Sequence, residues 1–339
     1  MKLDRGAALD GAVDVRAAAA AAERDGFDGF WLSEVKHDPF LGLAVAATAT
    51  ERVQLGTAIA VAFARSPMTT AAAADDLQAL SGGRMVLGLG TQVKAHITRR
   101  FSMPWSHPAP RMREYVLALR AIWSAWHDGA PLDFRGEFYS HTLMTPMFVP
   151  HPHGHGAPPV LLAGVGEAMT EVAGEVADGF LPHGFTTERY VREVTLPALA
   201  RGRAKAGRTL DGYVVKGSPM VAAGRTEEEL EKATAGVRSQ IAFYGSTPAY
   251  HGVLELHGWG ELGDRLHALS REGRWAEMGP LLDDEVLHAF AVVGTPEEVG
   301  PEVVRRYGDV FDRLTLYTPY DADPELLARV AAAVREASA

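Results

Sequence analysis

The chain of 339 residues is long enough for two average domains or for one α/β barrel with insertions. Its composition is 47% hydrophobic, 22% charged and 8% aromatic, which supplies a large core and excludes global disorder. The formal charge of -10, from 33 basic and 43 acidic residues, argues against nucleic acid and anionic membranes as partners. Because there is no cysteine, disulfides and thiolate catalysis are excluded, and any redox chemistry needs a bound cofactor.

The sequence offers no candidate membrane segment. No apolar run approaches the roughly 20 residues that span a bilayer. Charged residues on both sides of the alanine-rich stretch 17–22 favour a surface helix over a signal sequence. We therefore expect a cytoplasmic protein.

Short apolar runs alternate with helical stretches along the chain. Strands are predicted at residues 2–8, 29–33, 53–61, 85–88, 160–163, 179–182, 213–222 and 313–317. Helices are predicted at residues 13–25, 41–50, 69–80, 168–177, 189–205 and 324–336. Eight such β-α units favour a (β/α)8 TIM barrel over an open doubly wound sheet.

Two connections are too long for simple β-α loops. They are residues 91–159, after the fourth strand, and residues 223–312, after the seventh. Both leave from the rim at which barrel enzymes bind their ligands. We expect one domain over residues 1–339, in which the insertions act as lids and pocket walls.

Several motifs resemble the bacterial luciferase-like superfamily, whose members bind FMN or the deazaflavin coenzyme F420. They lie at residues 26–31, 56–67, 80–91, 163–166 and 177–180, in the family's order and across most of the chain. The whole pattern is most similar to the F420-dependent group, so the resemblance implies coenzyme F420, with FMN as the alternative. It also implies a homodimer, and a partner flavin reductase only if the cofactor is FMN.

The resemblance places a cofactor at the ends of the third and fourth strands. A non-prolyl cis peptide at Ala58-Ile59 would lie behind the central ring, and Gly88, Gly90 and Thr91 would contact the cofactor. Glycine at a strand end lets a flat ring or its chain approach the backbone. An ordinary buried strand and a tight strand-to-loop turn are the alternative interpretations.

A second part of the cofactor site is implied after the fifth and sixth strands. The turn of Ala163, Gly164, Val165 and Gly166 enters a helix, so its backbone N–H groups suit a phosphate. A generic β-α turn would look the same. His183, which ends the sixth strand, is assigned to cofactor or substrate contact.

Two residues after the second strand are the candidates for proton transfer. Many F420-dependent relatives have an Asp-His pair directly after the serine that corresponds to Ser33. Here Glu34 takes the acidic position, Val35 takes the histidine position, and His37 follows two residues later. We predict that His37 or Glu34 is the acid or base, while a solvated loop histidine is the alternative for His37.

Other charged residues have weaker functional interpretations. The anionic tail of coenzyme F420 needs basic side chains near the mouth, for which Lys36, Arg65, Lys94 and Arg189 are available. The histidines at positions 151, 153 and 155 resemble a metal-binding tract. No carboxylate lies nearby in the sequence, so we favour a flexible surface loop and predict no metal.

The function that follows is hydride transfer between coenzyme F420 and a small or bulky organic substrate. An FMN-dependent monooxygenase is the alternative enzyme. A flavin-binding barrel without catalysis is the third interpretation, because a fold does not determine its chemistry.

Overall fold

In the computed structural model, which describes residues 1–8 and 14–338, eight parallel strands close into a barrel. They are β1 Lys2–Ala8, β2 Gly29–Ser33, β3 Gln54–Thr57, β4 Met85–Gly90, β5 Val160–Gly164, β6 Gly179–Pro182, β7 Val214–Gly217 and β8 Arg313–Thr315. The ring is complete because Lys2 of β1 pairs with Arg313 of β8. The predicted (β/α)8 TIM barrel is confirmed.

Strand β3 is interrupted by a bulge. After the non-prolyl cis bond Ala58-Ile59, the strand resumes as Ala60–Val61 and pairs with the end of β4. The register changes from Gly56 opposite Val86 to Ala60 opposite Leu89, so the bulged segment contains one extra residue. The cis peptide predicted at this position is confirmed.

Helices follow the strands as predicted. In the first half they are α1 Val15–Arg24, α2 Pro39–Ala47, α3 Pro67–Leu80, α4 Lys94–Arg99 and α5 Pro108–His127. Helices α2 and α3 start two residues earlier than predicted, since the Asp38 and Ser66 side chains cap them and a proline occupies the first turn. The predicted start of α1 at Val13 lies outside the described residues.

The second half contains α6 Glu167–Val176 and a continuous helical run α7, made of Glu188–Tyr190, the π-helical turn Val191–Thr195 and Leu196–Lys205. The second insertion holds α8 Glu227–Gly245, α9 His251–Leu256, α10 Gly260–Arg271, α11 Asp284–Phe290 and α12 Pro296–Tyr307, and α13 Pro324–Ala337 follows β8. Within the described part of the chain, no helix is both long and apolar enough to cross a bilayer.

The prediction of one continuous seventh strand at residues 213–222 is wrong. Strand β7 ends at Gly217, and a separate strand Met220–Ala223 pairs in parallel with Ala291–Gly294. Pro219 lies between the two strands and has no N–H group to continue the ladder. The second insertion is therefore joined to the barrel through a small sheet of its own.

The insertion also has its own apolar cluster. Phe185, Ile241, Leu266 and Phe290 belong to this buried group, which is distinct from the larger group around the barrel wall. The rings of Phe185 and Phe290 stack with centroids 4.5 Å apart. The insertion thus packs as a coherent layer over the carboxyl end of the barrel.

Candidate active site

The bulge of β3 is held by the end of β2. Ser33 Oγ donates to the Ala58 carbonyl at 2.9 Å, and the Glu34 N–H donates to the Ile59 carbonyl at 3.2 Å. The Ala58 N–H donates to Leu32 at 2.8 Å. Both carbonyls of the cis pair are therefore bonded to the neighbouring strand, which fixes the direction of the bulge.

Three of the predicted cofactor residues meet at the mouth of the barrel. A Cβ atom on Gly90 would lie 2.9 Å from Cγ1 of Ile59 and 3.7 Å from Cβ of Ala163. Glycine at this position leaves room for the Ile59 side chain across the ends of β3, β4 and β5. The next residue, Thr91, is partly buried and donates from its hydroxyl to the Gln92 carbonyl at 2.9 Å.

Gly88 has a packing role inside the barrel. A Cβ atom there would lie 1.9 Å from the Thr57 carbonyl oxygen. The Thr57 hydroxyl donates to the Gly88 carbonyl at 2.7 Å and accepts from its N–H at 2.9 Å. Close contact between β3 and β4 accounts for this glycine, and its contact with a cofactor stays a prediction.

Glu34 is bonded to strand and helix residues around it. Its Oε2 accepts from the Val61 N–H and from Arg65 Nη1, both at 2.7 Å. Arg65 Nη2 also donates to Asp38 at 2.6 Å. The Glu34 side chain is only 6% exposed and that of Arg65 18%, so the pair is largely shielded from water.

The charge of Arg65 is stabilised by this arrangement. Burial acts to lower the pKa of Arg65, but hydrogen bonds and charge attraction from Glu34 and Asp38 raise it above its ordinary value. Arg65 is thus engaged by two carboxylates and is not free for an anionic cofactor tail. Its ion pairs were missed by the sequence reasoning, which considered Arg65 only as a tail ligand.

His37 lies in the bend between Glu34 and Asp38, and it is exposed. Its backbone position is fixed from one side, because Asp38 caps α2 by accepting from the Phe40 N–H at 2.8 Å. Since Glu34 is engaged by Arg65, His37 is the freer of the two predicted acid-base residues.

The turn after β5 presents an uncapped helix. Gly166 is the N-cap residue of α6 and has no side chain to bond the first-turn N–H groups. Three residues at this turn are exposed: Gly166, Glu167 and Ala168. The Glu167 carboxylate accepts a hydrogen bond from Arg201 Nη2 at 2.6 Å. The first-turn N–H groups of α6 are therefore exposed without a side-chain cap, and their binding of a phosphate stays a prediction.

His183 is packed among aromatic rings from the second insertion. Its ring centroid lies 4.7 Å from the centroids of both Tyr244 and Tyr250. Nδ1 accepts from the Phe185 N–H at 3.0 Å, so Nε2 carries the proton in the neutral ring. Burial lowers the pKa of His183 to about 4, so the side chain is a neutral hydrogen-bond donor at neutral pH.

A tyrosine pair lies next to His183. The hydroxyls of Tyr244 and Tyr317 are 3.0 Å apart, which links α8 of the insertion to the segment after β8. Burial raises the pKa of Tyr317 well above its ordinary value. No signal in the sequence joins these tyrosines to the rim histidine, because they lie far from it along the chain.

Charged residues also lie inside the barrel, below its mouth. Arg313 donates to both carboxylate oxygens of Asp4, and Lys216 donates to the Thr315 hydroxyl at 2.8 Å. The Lys216 ammonium lies 4.7 Å from the Trp31 ring centroid. Burial lowers the pKa of Lys216 to about 8. Charged residues in otherwise apolar strands were the sequence signal for this group, and the sequence reasoning missed it.

Two other predicted tail ligands have different environments. Arg189 donates to Glu193 at 3.0 Å and to the Leu256 carbonyl at 3.0 Å, so it is bonded within α7 and to the insertion. Lys94 is exposed at the start of α4, just after the end of β4. Lys94 is therefore more accessible to an anionic tail than Arg189 or Arg65.

The histidine run lies near the opposite end of the barrel, before the start of β5. A carboxylate that is distant in the sequence lies beside it, because His153 Nε2 is 3.1 Å from Asp75 of α3. His127, at the end of α5, contacts the same carboxylate. Sequence spacing gave no signal for this cluster, since tertiary packing brings the three residues together.

A family profile described as luciferase-like monooxygenase matches residues 3–313, a range that begins within β1, includes β2 to β7 and ends at the first residue of β8. The chain belongs to this luciferase-like family. Its similarity extends to the uncharacterized protein Rv1360 of Mycobacterium tuberculosis, which is 56% identical over 88% of this chain and 87% of that protein.

Other luciferase-like relatives carry functional names. The 5,10-methylenetetrahydromethanopterin reductase of Archaeoglobus fulgidus is 28% identical over 82% of this chain and 81% of its own length. The putative coenzyme F420-dependent oxidoreductase Rv3520c of Mycobacterium tuberculosis is 27% identical over 83% of this chain and 83% of that protein. Relatives of this luciferase-like protein thus include a reductase and a protein named for coenzyme F420.

Solved structures support the luciferase-like fold. The coenzyme F420-dependent tetrahydromethanopterin reductase of Methanopyrus kandleri has a TM-score of 0.77 and 21% identity, over 98% of this chain and 97% of that one. An F420-dependent secondary alcohol dehydrogenase has a TM-score of 0.76 and 16% identity, over 100% and 99%. The monooxygenase RslO1 of Streptomyces bottropensis has a TM-score of 0.70 and 20% identity, over 99% and 98%.

Proposed function

We propose that this protein is an oxidoreductase that transfers a hydride between coenzyme F420 and an organic substrate. The observation that carries the proposal is the meeting of Ile59, Gly90 and Ala163 at the barrel mouth. Ala163 lies three residues before Gly166, the N-cap residue of α6. The name of the relative Rv3520c and the names of two similar structures favour coenzyme F420 over FMN.

The residues present fit a flat ring joined to a phosphate. Ile59 offers an apolar surface beside the side-chain-free Gly90, and Ala163 adds little bulk next to it. The first turn of α6, beginning at Gly166, would hold the phosphate through backbone N–H groups. Thr91, Gly164, Val165 and the bulge residue Ala58 complete the group that would hold the cofactor.

When bound, the deazaflavin supplies a carbon that donates or accepts the hydride. The proton that accompanies hydride transfer to a carbonyl carbon must reach the carbonyl oxygen. His37, exposed at the end of β2, is our candidate to give or take that proton through its imidazole. Glu34 would act through Arg65 by holding the bulge and the start of α2 in position.

The second insertion would shape the substrate side of the site. His183 carries its proton on Nε2 and would donate a hydrogen bond to a substrate or cofactor oxygen. The rings of Tyr244 and Tyr250 limit the space around that proton and favour an organic substrate over a small ion. A homodimer and a cytoplasmic location complete the proposal.

The decisive experiment is a parallel titration of the purified protein with oxidised coenzyme F420 and with FMN, followed by fluorescence. Selective binding of F420, and then oxidation of reduced F420 by a panel of carbonyl and alkene substrates, would support the proposal. Preference for FMN with oxygen-dependent turnover and a reductase partner would support a monooxygenase instead. Tight binding without turnover across the panel would indicate a binding protein, and binding of neither cofactor would overturn the assignment.

A further inference from the structure

Three side chains from distant parts of the sequence converge at the end of the barrel opposite its mouth. Asp75 lies in the last two turns of α3, His127 ends α5, and His153 lies in the segment before β5. Asp75 Oδ1 is 2.8 Å from Nε2 of His127 and 3.1 Å from Nε2 of His153. Two imidazoles therefore contact the same carboxylate oxygen.

The carboxylate in this cluster is buried. Asp75 is 3% exposed, while the side chains of His127 and His153 are 16% and 10% exposed. Within the described part of the chain, the ion pairs of Asp75 are with these two imidazoles alone. A buried carboxylate with no arginine or lysine beside it is an environment in which a bound cation gains strong attraction.

The donor set suits a divalent transition metal. One carboxylate oxygen and two imidazole nitrogens, all within 4.8 Å of one another, can be offered to a single ion. In a tetrahedral zinc site, metal–ligand bonds of about 2.1 Å separate the ligand atoms by roughly 3.4 Å. The carboxylate–imidazole contacts at His127 and His153 would need to lengthen by about 0.6 Å and about 0.3 Å.

We propose that Asp75, His127 and His153 form a zinc-binding site, in which water completes the coordination. Two histidines and one carboxylate are a ligand combination that zinc accepts readily. The three ligands come from α3, α5 and the chain leading into β5, so a bound ion joins three elements of the barrel wall. The site lies away from the candidate active site and its role is structural.

Metal binding has a specific consequence for the histidine loop. His153 Nδ1 accepts from the His155 N–H at 3.1 Å, which places the proton on Nε2. Coordination through Nε2 moves that proton to Nδ1, so the His155 amide must turn away. Gly154 and Gly156, with φ values of +78° and +68°, lie on either side of His155 and give the backbone freedom to do so.

The test uses the full-length chain without a histidine tag, after removal of metals with a chelator. Cobalt is added first, because its visible absorption reports coordination geometry, and zinc is then used to displace it. We expect one saturable tetrahedral site per chain, and an increase in melting temperature on zinc addition. We also expect changed amide signals at residues 153–156.

Two variants and a control identify the ligands. His153→Ala removes a ligand in a loop and is expected to weaken cobalt binding by at least about 10-fold. His127→Gln is expected to do the same. His151→Ala changes an exposed histidine of the same loop that is not in the cluster, so its binding is expected to match the parent protein.

The outcomes separate the proposal from its alternatives. Absence of saturable binding overturns it, as does binding that survives both ligand substitutions, since other histidines of the 13 would then be responsible. If His127→Gln proves unstable, His153→Ala alone decides the result. Loss of cobalt binding without any change in the F420 titration shows that the metal site and the proposed active site are independent.

Discussion

Arg65 Nη1 donates to Glu34 Oε2 at 2.7 Å and so joins the helix start after the bulge to the end of β2. The same carboxylate oxygen also accepts from the Val61 N–H, just beyond the cis bond. The pair therefore controls the position of the bulged segment from both sides. Its removal is expected to affect stability and cofactor binding together.

Replacement of Arg65 by Met is expected to destabilise the fold by about 3 kcal/mol, because the nearly buried Glu34 carboxylate loses its cation. Urea unfolding measures this change. Arg189→Met breaks an exposed pair with Glu193 and serves as the control, with an expected loss below about 1 kcal/mol. The double variant Glu34→Gln/Arg65→Met should lose less free energy of unfolding than the sum of the losses in the two single variants. Additive losses would show that the pair is not coupled.

His37→Ala is expected to lower kcat at least about 100-fold if the imidazole transfers the proton. Cofactor affinity should stay unchanged, because the side chain is exposed and outside the group proposed to hold the ring. Steady-state kinetics over a range of pH, together with an F420 titration, measure both quantities. His151→Ala is the control. Unaltered turnover in His37→Ala would remove this residue from the mechanism.

Gly166→Asp tests the helix start as a phosphate site. A Cβ atom at Gly166 meets no atom within 4 Å, and its φ of -82° suits any residue, so the fold should accept the change. The new carboxylate caps α6 and repels a phosphate, so cofactor affinity should fall at least about 10-fold. Gly166→Asn provides the uncharged control. Equal affinities for the two variants would place the phosphate elsewhere.

How far the sequence predicted this protein depends on whether the signal was local. The strand and helix order and the two insertions followed from short-range patterns, whereas the cis bond at Ala58-Ile59 followed from the resemblance to the luciferase-like family. The break at Pro219 was readable in principle, because proline cannot donate within a ladder. The partners of Glu34 and of Asp75 were not readable, since they lie at least 27 and at least 52 residues away and meet only in the folded barrel.

The titration of His183 predicts a loss of stability in acid. Burial lowers the pKa of His183 to about 4 from the ordinary 6.5, so the unfolded chain takes up a proton at a higher pH than the folded one. The free energy of unfolding is therefore highest above pH 6.5, where His183 is neutral in both states. It decreases as the pH falls from 6.5, and the loss is complete once the pH has fallen through 4. The expected loss is about 3 kcal/mol.

His183→Gln removes the titrating group and is the variant for this measurement. Urea unfolding of both proteins at a series of pH values should give a stability difference that narrows or reverses in acid. His151→Ala, which lacks an exposed histidine instead, should follow the parent curve. A constant difference between parent and His183→Gln across the range would contradict a buried neutral imidazole.

The separate apolar cluster of the second insertion has a consequence for how such a barrel diversifies. Substitutions in α8 to α10 change the packing around Phe185 and Phe290, while Ile59 and Gly90 belong to strand ends supported by other contacts. Packing within the insertion can therefore change while these strand ends keep their own contacts. His183 follows a barrel strand but packs on Tyr244 and Tyr250 of the insertion. The barrel and the insertion therefore constrain each other at this residue.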